Sequence, residues 1–199
     1  MRFLFHRVIR KFVNIYKRSE GKLLCSQLGI CGRNVKINAP GTIGHPELME
    51  IGDDTEILDG ARLQTYPELV DGQPKIIIGK RCFLGYRLCI LAGADVVIGD
   101  DVLMASDITL CSHNHGINPD IDIPYMSQKL TCKPIKIGDN CWIGDKSIIV
   151  AGVSIGRGTI IGAGSIVTKD IPDYCIAAGN PARIIKKYNF ESKRWERHE

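Results

Sequence analysis

The sequence lacks the patterns that mark several common protein classes. Its eight cysteines form no CxxC pair, so their spacing is poor for zinc, and we expect them to stay reduced. No stretch approaches the roughly 18 consecutive apolar residues of a membrane-spanning helix. The N-terminus lacks the apolar segment of a signal peptide. We therefore expect a cytoplasmic protein.

Net positive charge is confined to the N-terminus. Residues 1–18 contain six Lys and Arg residues and no acid, and the rest of the chain has a formal charge of −2. A nucleic-acid-binding domain would carry a basic surface, so no nucleic-acid partner is predicted. Aromatic residues are also few, at 7%, while the 21 glycines favour many turns over thick helical packing.

A period of six residues dominates the chain instead. From Ile137, six consecutive hexads begin with Ile or Val, and glycine follows four of them. The same spacing occurs earlier, at Ile51/Ile57/Leu63, Ile78/Leu84/Ile90 and Ile98/Met104/Leu110. This period fits neither an amphipathic helix nor an alternating strand. It predicts an all-β solenoid in which three hexads form one triangular coil of about 18 residues and each coil stacks on the next.

The aliphatic residue of each hexad is expected to point inward and to stack on its counterpart in the next coil. Glycine or a small polar residue is expected to form the corner, where unusual backbone angles are needed. The pairs Gly156/Gly158 and Gly162/Gly164 follow this phase, so they are interpreted as corners and not as a dinucleotide-binding loop.

Two insertions interrupt the solenoid, at 66–74 and at 112–134. Leu110 and Ile137 are 27 residues apart where a step of six is due. Long irregular loops in compact domains are often functional, so the second insertion is expected to project from the coil and cover a site. The predicted boundaries are a helix over 1–24, a β-helix domain over 28–186 and a C-terminal tail over 187–199.

Residues 1–24 are predicted to form a basic amphipathic helix. One face carries the apolar residues Phe5, Val8, Ile9, Phe12 and Tyr16. We expect such a helix to cap the first coil or pack on another subunit, or to make peripheral contact with an anionic membrane through residues 1–18, and these roles are not exclusive. The tail over 187–199 is expected to form a short helix or to be disordered.

Two segments carry a family resemblance, "VLMASDITLCSHNH" and "KPIKIGDNCWIGDKSIIVAGVSIGRGTIIGAGSIVTKDIPDYCIAAGNPARIIKK". They resemble the hexapeptide-repeat acyltransferases, in particular the polysaccharide and sugar O-acetyltransferases, and are similar to galactoside and maltose acetyltransferases. The resemblance spans roughly residues 34–186. It implies a left-handed parallel β-helix, acetyl-CoA as cosubstrate, a glycan or sugar acceptor and a homotrimer with its site between adjacent subunits.

The resemblance also implies catalytic residues. The segment "SHNH" aligns with the catalytic histidine of the family, which matches His115, and His113 is the second choice. A histidine with a pKa near 6.5 serves well as a general base at neutral pH. The backbone N–H of Asp145 matches the donor that stabilises the oxyanion. The aspartate departs from the small residue of the family.

Residues that match the cosubstrate contacts of relatives lie further along the chain. These positions are Trp142, Ala163, Thr168, Lys169, Gly179, Arg183 and Lys186. The fixed cations suit the phosphates of CoA, whereas Ala163 and Gly179 are expected to keep its groove open.

The sequence also limits the choice of acceptor and predicts no metal site. Gly85 and Gly93 replace sugar-contacting residues of galactoside-type relatives, and Tyr86, Arg87, Asp95 and 118–125 are weak substitutes. Zinc-binding β-helices of the γ-carbonic anhydrase type use three histidines, at a spacing that His6, His45 and His198 do not supply, so no metal is predicted. The alternatives are acetylation of a small molecule, such as an antibiotic or amino sugar, and an inert scaffold.

Overall fold

The chain forms a solenoid of three parallel sheets. The computed structural model describes residues 2–198, and the side chains of 11–198 apart from those of Asn14 and Arg18. Each sheet takes every third strand of the solenoid, so the backbone passes from sheet 1 to sheet 2 to sheet 3 and then enters the next coil. This connectivity is that of a parallel β-helix.

The three sheets are built from very short strands. Sheet 1 contains β1 (Ile30–Cys31), β4 (Met49–Ile51), β7 (Ile76–Ile78), β10 (Val96–Ile98), β15 (Ile135–Ile137) and β18 (Ser154–Ile155). Sheet 2 contains β2 (Lys36–Ile37), β5 (Glu56–Ile57), β8 (Phe83–Leu84), β11 (Leu103–Met104), β16 (Trp142–Ile143) and β19 (Ile160–Ile161), and it continues into β21 (Cys175–Gly179), β22 (Ala182–Asn189) and β23 (Arg194–Arg197). Sheet 3 contains β3 (Ile43–Gly44), β6 (Arg62–Thr65), β9 (Cys89–Ala92), β12 (Thr109–Cys111), β17 (Ile148–Val150) and β20 (Ile166–Val167).

The first residue of each hexad lies in the core, as predicted. Ile143 pairs with Met104 in the preceding coil and with Ile161 in the following one. All three side chains are at most 1% exposed. Burial of such columns of aliphatic side chains is the main force that holds one coil on the next.

The expected corner role of the hexad glycines is confirmed for Gly158 and Gly164, which have φ angles of +64° and +68°, and is wrong for the glycines that directly follow the first residue of a hexad. Gly138 and Gly144 do not have positive φ; the left-handed residues come two positions later, at Asn140 and Lys146. A Cβ on Gly144 would lie 2.5 Å from the backbone nitrogen of Ala163 in the next coil. At Gly138 and Gly144 glycine is therefore required because neighbouring coils approach closely, and not because of its backbone angles.

Small polar side chains at the fifth hexad position join neighbouring coils. The Cys141 Sγ donates a hydrogen bond to the Gly156 carbonyl at 3.0 Å, and the Thr159 Oγ1 donates to the Pro172 carbonyl at 2.8 Å. Burial raises the pKa of Cys141 to about 11, so its thiol keeps the proton that it donates. These contacts satisfy carbonyls inside the stack.

A helix covers the N-terminal end of the solenoid. Helix α1 spans Arg2–Cys25. Leu24 is buried, Lys17 pairs with Asp59, and Gly21 leaves no room for a Cβ against the Ile37 carbonyl of β2. The end of the helix therefore caps the first coil. The side chains of the predicted apolar residues Phe5, Val8 and Ile9 lie outside the described residues, while Phe12 and Tyr16 are exposed.

The expectation of a helical or disordered C-terminal tail is wrong. Strands β21, β22 and β23 form an antiparallel meander on the last coil, and the predicted boundary at 187 falls inside β22. Tyr188 pairs with Trp195 across the meander, with ring centroids 5.3 Å apart. Aromatic cross-strand pairs stabilise antiparallel strands, which explains why this polar segment is ordered.

The insertion 112–134 occupies all of the chain between β12 and β15. Its base is an antiparallel pair of β13 (His113–Asn114) and β14 (Thr131–Cys132). Short 3-10 turns occur at Tyr125–Ser127 in this insertion, at Pro67–Leu69 in the insertion 66–74 and at Pro46–Leu48. No helix formed by the described residues has the length and apolarity needed to cross a bilayer.

Candidate active site

His115 lies at the base of the second insertion with its ring accessible. It directly follows Asn114, which pairs with Thr131 in the β13–β14 ladder. The side chain is exposed and lines an open cleft of about 490 Å³ together with Ile117 and Tyr125. Among the hydrogen bonds of the described residues, none involves its imidazole. The ring is therefore free to accept a proton from a bound molecule.

His113 has a different environment. Its ring packs edge-on against Tyr66 with centroids 5.1 Å apart, and a Cβ on Gly93 would lie only 2.7 Å from its own Cβ. Burial lowers the pKa of His113, so the ring is neutral near pH 7. His113 thus forms part of the wall between the two insertions. This placement favours His115 as the histidine that reaches a ligand.

Asp145 belongs to a series of corner carboxylates that bind the preceding coil. Its Oδ1 accepts the Ser106 N–H at 2.9 Å, as Asp139 accepts the Asp100 N–H at 2.9 Å and Asp173 accepts the Arg157 N–H at 3.0 Å. The carboxylate of Asp145 is therefore occupied within the stack. Its departure from the family pattern has a structural explanation in this contact.

The backbone N–H of Asp145 resembles those of Asp139 and Asp173, which also lack an acceptor among the described residues. The next coil places Ala163 at the corresponding corner, and alanine has no side-chain acceptor. The carbonyl of Asp145 accepts the Gly164 N–H at 2.7 Å. Within residues 2–198, no hydrogen-bond acceptor is found for the Asp145 N–H. Ala163 adds no side-chain acceptor above it, so the Asp145 N–H remains open at this corner.

Trp142 projects from the same corner region on the outer face of sheet 2. It lies in register between Leu103 and Ile160, and its side chain is 50% exposed. With Phe83 and Leu103, which are also exposed, it forms an apolar stripe along sheet 2. An aromatic side chain at this position can form one wall of a groove that runs along the coils.

Two of the predicted cosubstrate-binding cations meet at the C-terminal end. Lys169 and Arg183 line one open cleft of about 490 Å³, together with His198 and Asp170. Lys186 is exposed on the same strand as Arg183 but does not line that cleft. Sequence reasoning missed His198, because only the pairing of β23 with β22 returns this residue to the cleft.

The remaining predicted residues are small or exposed. Thr168 and Ala163 are exposed, and Gly179 has a φ of +106°, a conformation that favours glycine. Of the weak acceptor candidates, Arg87 is bound to Asp107 at 2.6 Å and Asp95 accepts the Lys75 N–H at 2.9 Å. Both therefore serve the corners of the stack.

A single chain does not bring all of these residues together. The cleft beside His115 and the cleft beside Lys169 share no lining residue. In the part of the chain that the structure describes, no three His, Cys, Asp or Glu side chains are grouped to bind a metal ion.

Comparison with known sequence families gives two matches. Residues 134–169 match the bacterial transferase hexapeptide family (six repeats), and residues 75–106 match the hexapeptide repeat of succinyl-transferase. These matches confirm the predicted resemblance to the hexapeptide-repeat transferases.

Three curated relatives are acetyltransferases by name. The chain is 40% identical to galactoside O-acetyltransferase of Escherichia coli over 120 residues, which cover 60% of this chain and 58% of that protein. It is 31% identical to a probable acetyltransferase of Mycobacterium tuberculosis over 173 residues, 86% of this chain and 54% of that protein. A putative lipopolysaccharide biosynthesis O-acetyl transferase of E. coli is 40% identical over 108 residues, 51% of this chain and 55% of that protein. The chain thus spans little more than half the length of these relatives.

Solved structures share the fold. An N-acyltransferase from Bacillus cereus, crystallised with a dTDP-amino sugar and coenzyme A, superposes with a TM-score of 0.73 at 23% identity, covering 87% of this chain and 91% of that one. A hexapeptide-repeat acetyltransferase from Vibrio cholerae gives a TM-score of 0.62 at 22% identity, covering 95% of this chain and 94% of that one. These likenesses show a β-helix.

Proposed function

We propose that this protein is an acetyl-CoA-dependent O-acetyltransferase that modifies a hydroxyl group of a glycan or glycan precursor. The observation that carries the proposal is the accessible imidazole of His115 at the base of the insertion, which makes no hydrogen bond to any described residue. The named acetyltransferase relatives support the donor and the reaction class.

The proposed chemistry is a direct transfer. His115 accepts the proton of the acceptor hydroxyl while its oxygen attacks the thioester carbonyl. The tetrahedral oxyanion accepts a hydrogen bond from the Asp145 N–H, a fixed donor of the kind that stabilises such intermediates. The intermediate collapses, the C–S bond breaks, and the CoA thiolate takes the proton from His115. No cysteine takes part.

The cosubstrate would lie along the coils beyond this corner. Trp142 would form a wall of its groove, Ala163 and Gly179 would keep the groove open, and Thr168, Lys169, Arg183 and Lys186 would contact its polar groups. Lys169 and Arg183 are the strongest phosphate ligands of this set, since they share one cleft.

The proposal includes a left-handed coil and a homotrimer. The separation of the His115 and Lys169 clefts on one chain supports a site between two subunits. The exposed apolar stripe of Phe83, Leu103 and Trp142 is suited to such an interface. A closed cyclic assembly would bury it.

We place the enzyme in the cytoplasm, at the inner face of the membrane when α1 binds lipid. The exposed Phe12 and Tyr16 and the cations of residues 1–18 support membrane contact. Sedimentation with anionic vesicles at low and high salt tests it; no binding at low salt would remove this part of the proposal.

The central experiment measures CoA release from acetyl-CoA with a panel of glycans, activated sugars, amino sugars and antibiotics. Loss of the base in His115→Ala is expected to lower turnover by roughly 10²–10⁴-fold, while acetyl-CoA binding by calorimetry is unchanged. His45→Ala, whose ring pairs with Glu47 and Glu68, is the control.

The results separate the alternatives. Full activity of His115→Ala would move the base elsewhere, with His113→Ala as the next variant. Transfer only to amino sugars or antibiotics would favour a small-molecule acetyltransferase. A wild-type protein that binds no acetyl-CoA would be a scaffold.

A further inference from the structure

Within residues 113–134 of the second insertion, Gln128 is the one buried residue. Residues 117–127 are all exposed, whereas Gln128 is only 8% exposed. Its Oε1 accepts the Asn118 N–H at 3.0 Å, and its Nε2 donates to the carbonyls of Asn118 and Ile123, both at 3.0 Å. A buried amide that uses both its acceptor and its donors in this way organises the backbone around it.

The chain next to His115 rests directly on this side chain. A Cβ on Gly116 would lie 2.6 Å from the Gln128 Cβ and 2.8 Å from its Oε1. His115 therefore lies between two anchored neighbours. Asn114 is fixed by the β13–β14 ladder, and Gly116 is fixed by its close approach to Gln128.

We propose that Gln128 is a positioning residue that holds the insertion and thereby sets the location of the His115 imidazole. The catalytic meaning of this role rests on the proposed function. A general base must sit within hydrogen-bond reach of the proton that it removes. A shift of about 1 Å in such a group lowers the rate by as much as 10²-fold. Gln128 touches neither reactant and acts through the backbone at 116–123.

The test removes the amide without removing its bulk. Gln128→Met keeps the length of the side chain and loses all three hydrogen bonds, and Gly116→Ala disturbs the same contact from the other side. Gln27→Met is the matched control, since Gln27 is exposed between α1 and β1. The core of the solenoid lies outside the insertion, so thermal unfolding of each variant is expected to stay close to that of wild type.

Two readouts are taken from the same full-length proteins. In Gln128→Met, amide hydrogen exchange over 116–123 is expected to be at least tenfold faster, because the Asn118 N–H loses its acceptor. The value of kcat is expected to fall by about 10–100-fold, with the KM for acetyl-CoA unchanged. The control changes neither value. A purely global loss of stability would instead speed exchange throughout the chain.

The outcomes distinguish the two proposals. Unchanged exchange in Gln128→Met would overturn the positioning role, and so would faster exchange with an unchanged kcat. If wild type transfers acetyl to no acceptor, the proposed function fails. The exchange data, together with the linewidth of the His115 imidazole signals in NMR spectra, still decide whether Gln128 fixes that ring.

Discussion

Replacement of Ala163 by aspartate should close the open peptide donor at the corner of the site. The corner carboxylates Asp139, Asp145 and Asp173 each accept an N–H from the preceding coil at 2.9–3.0 Å. Ala163 occupies the equivalent corner above Asp145. In Ala163→Asp, the new carboxylate is therefore expected to accept the Asp145 N–H with the same geometry.

The variant should have opposite effects on stability and activity. One added hydrogen bond of this kind contributes about 0.5–1.5 kcal/mol, which raises the melting temperature of a chain of this size by about 1–5 °C. Loss of an oxyanion donor lowers kcat by about 10²–10³-fold. Few substitutions are expected to stabilise the fold while removing the activity.

The assay combines thermal unfolding with steady-state transfer kinetics. Ala163→Asn supplies a neutral acceptor and should give the same loss of kcat, which separates the hydrogen bond from the added charge. Ala163→Leu fills the groove without accepting a hydrogen bond, so it should mainly raise the KM for acetyl-CoA. Near-wild-type kcat in both Ala163→Asp and Ala163→Asn would refute the assignment of the Asp145 N–H as the oxyanion donor.

Three further predictions concern the fold. Ile143→Ala removes a fully buried side chain and should lower the free energy of unfolding by about 2–5 kcal/mol; Leu69→Ala, at an exposed position of the insertion 66–74, is the control in urea unfolding, and equal losses would contradict the inward-facing column of aliphatic side chains. Gly138→Ala places a Cβ 2.7 Å from the next coil and should cost about 1–3 kcal/mol, which a melting temperature equal to that of wild type would exclude. The lowered pKa of His113 means that the unfolded chain binds more protons, so stability falls as the pH drops through the unfolded value near 6.5. His113→Gln should reduce the fall in melting temperature between pH 7.5 and 5.5, and an identical fall in both proteins would show that another group is responsible.

The period of the solenoid could be predicted from the sequence because each inward position depends on one residue type at one spacing. Ile143 and its neighbours in the column are buried as the hexads predict. The corner glycines Gly158 and Gly164 follow the same phase, but the role of Gly138 and Gly144 could not be predicted from spacing. Gly144 is explained by its distance to Ala163, just over one coil further along the chain, and no local pattern contains that distance.

The residues of the candidate site likewise divide into those that the sequence could predict and those that it could not. His115 and the Lys169/Arg183 pair follow from motifs, since a family pattern preserves spacing along the chain. His198 and Gln128 do not, because their roles depend on an antiparallel pairing and on the shape of an irregular insertion. The open N–H of Asp145 depends on which residue of the next coil lies over it, and Ala163 supplies no side-chain acceptor there.

The covers at the two ends of the solenoid explain how such a protein avoids assembling into fibres. Nothing in a hexad limits how many copies can stack, and an uncovered terminal coil would offer a ready template to the first coil of another molecule. Here Leu24 of α1 closes one end, and the β22–β23 meander turns the strand direction at the other. Loss of either cover should therefore favour end-to-end polymerisation more than unfolding. The covering segments at the two ends thus govern the solubility of the protein, whereas the stacked coils supply its stability.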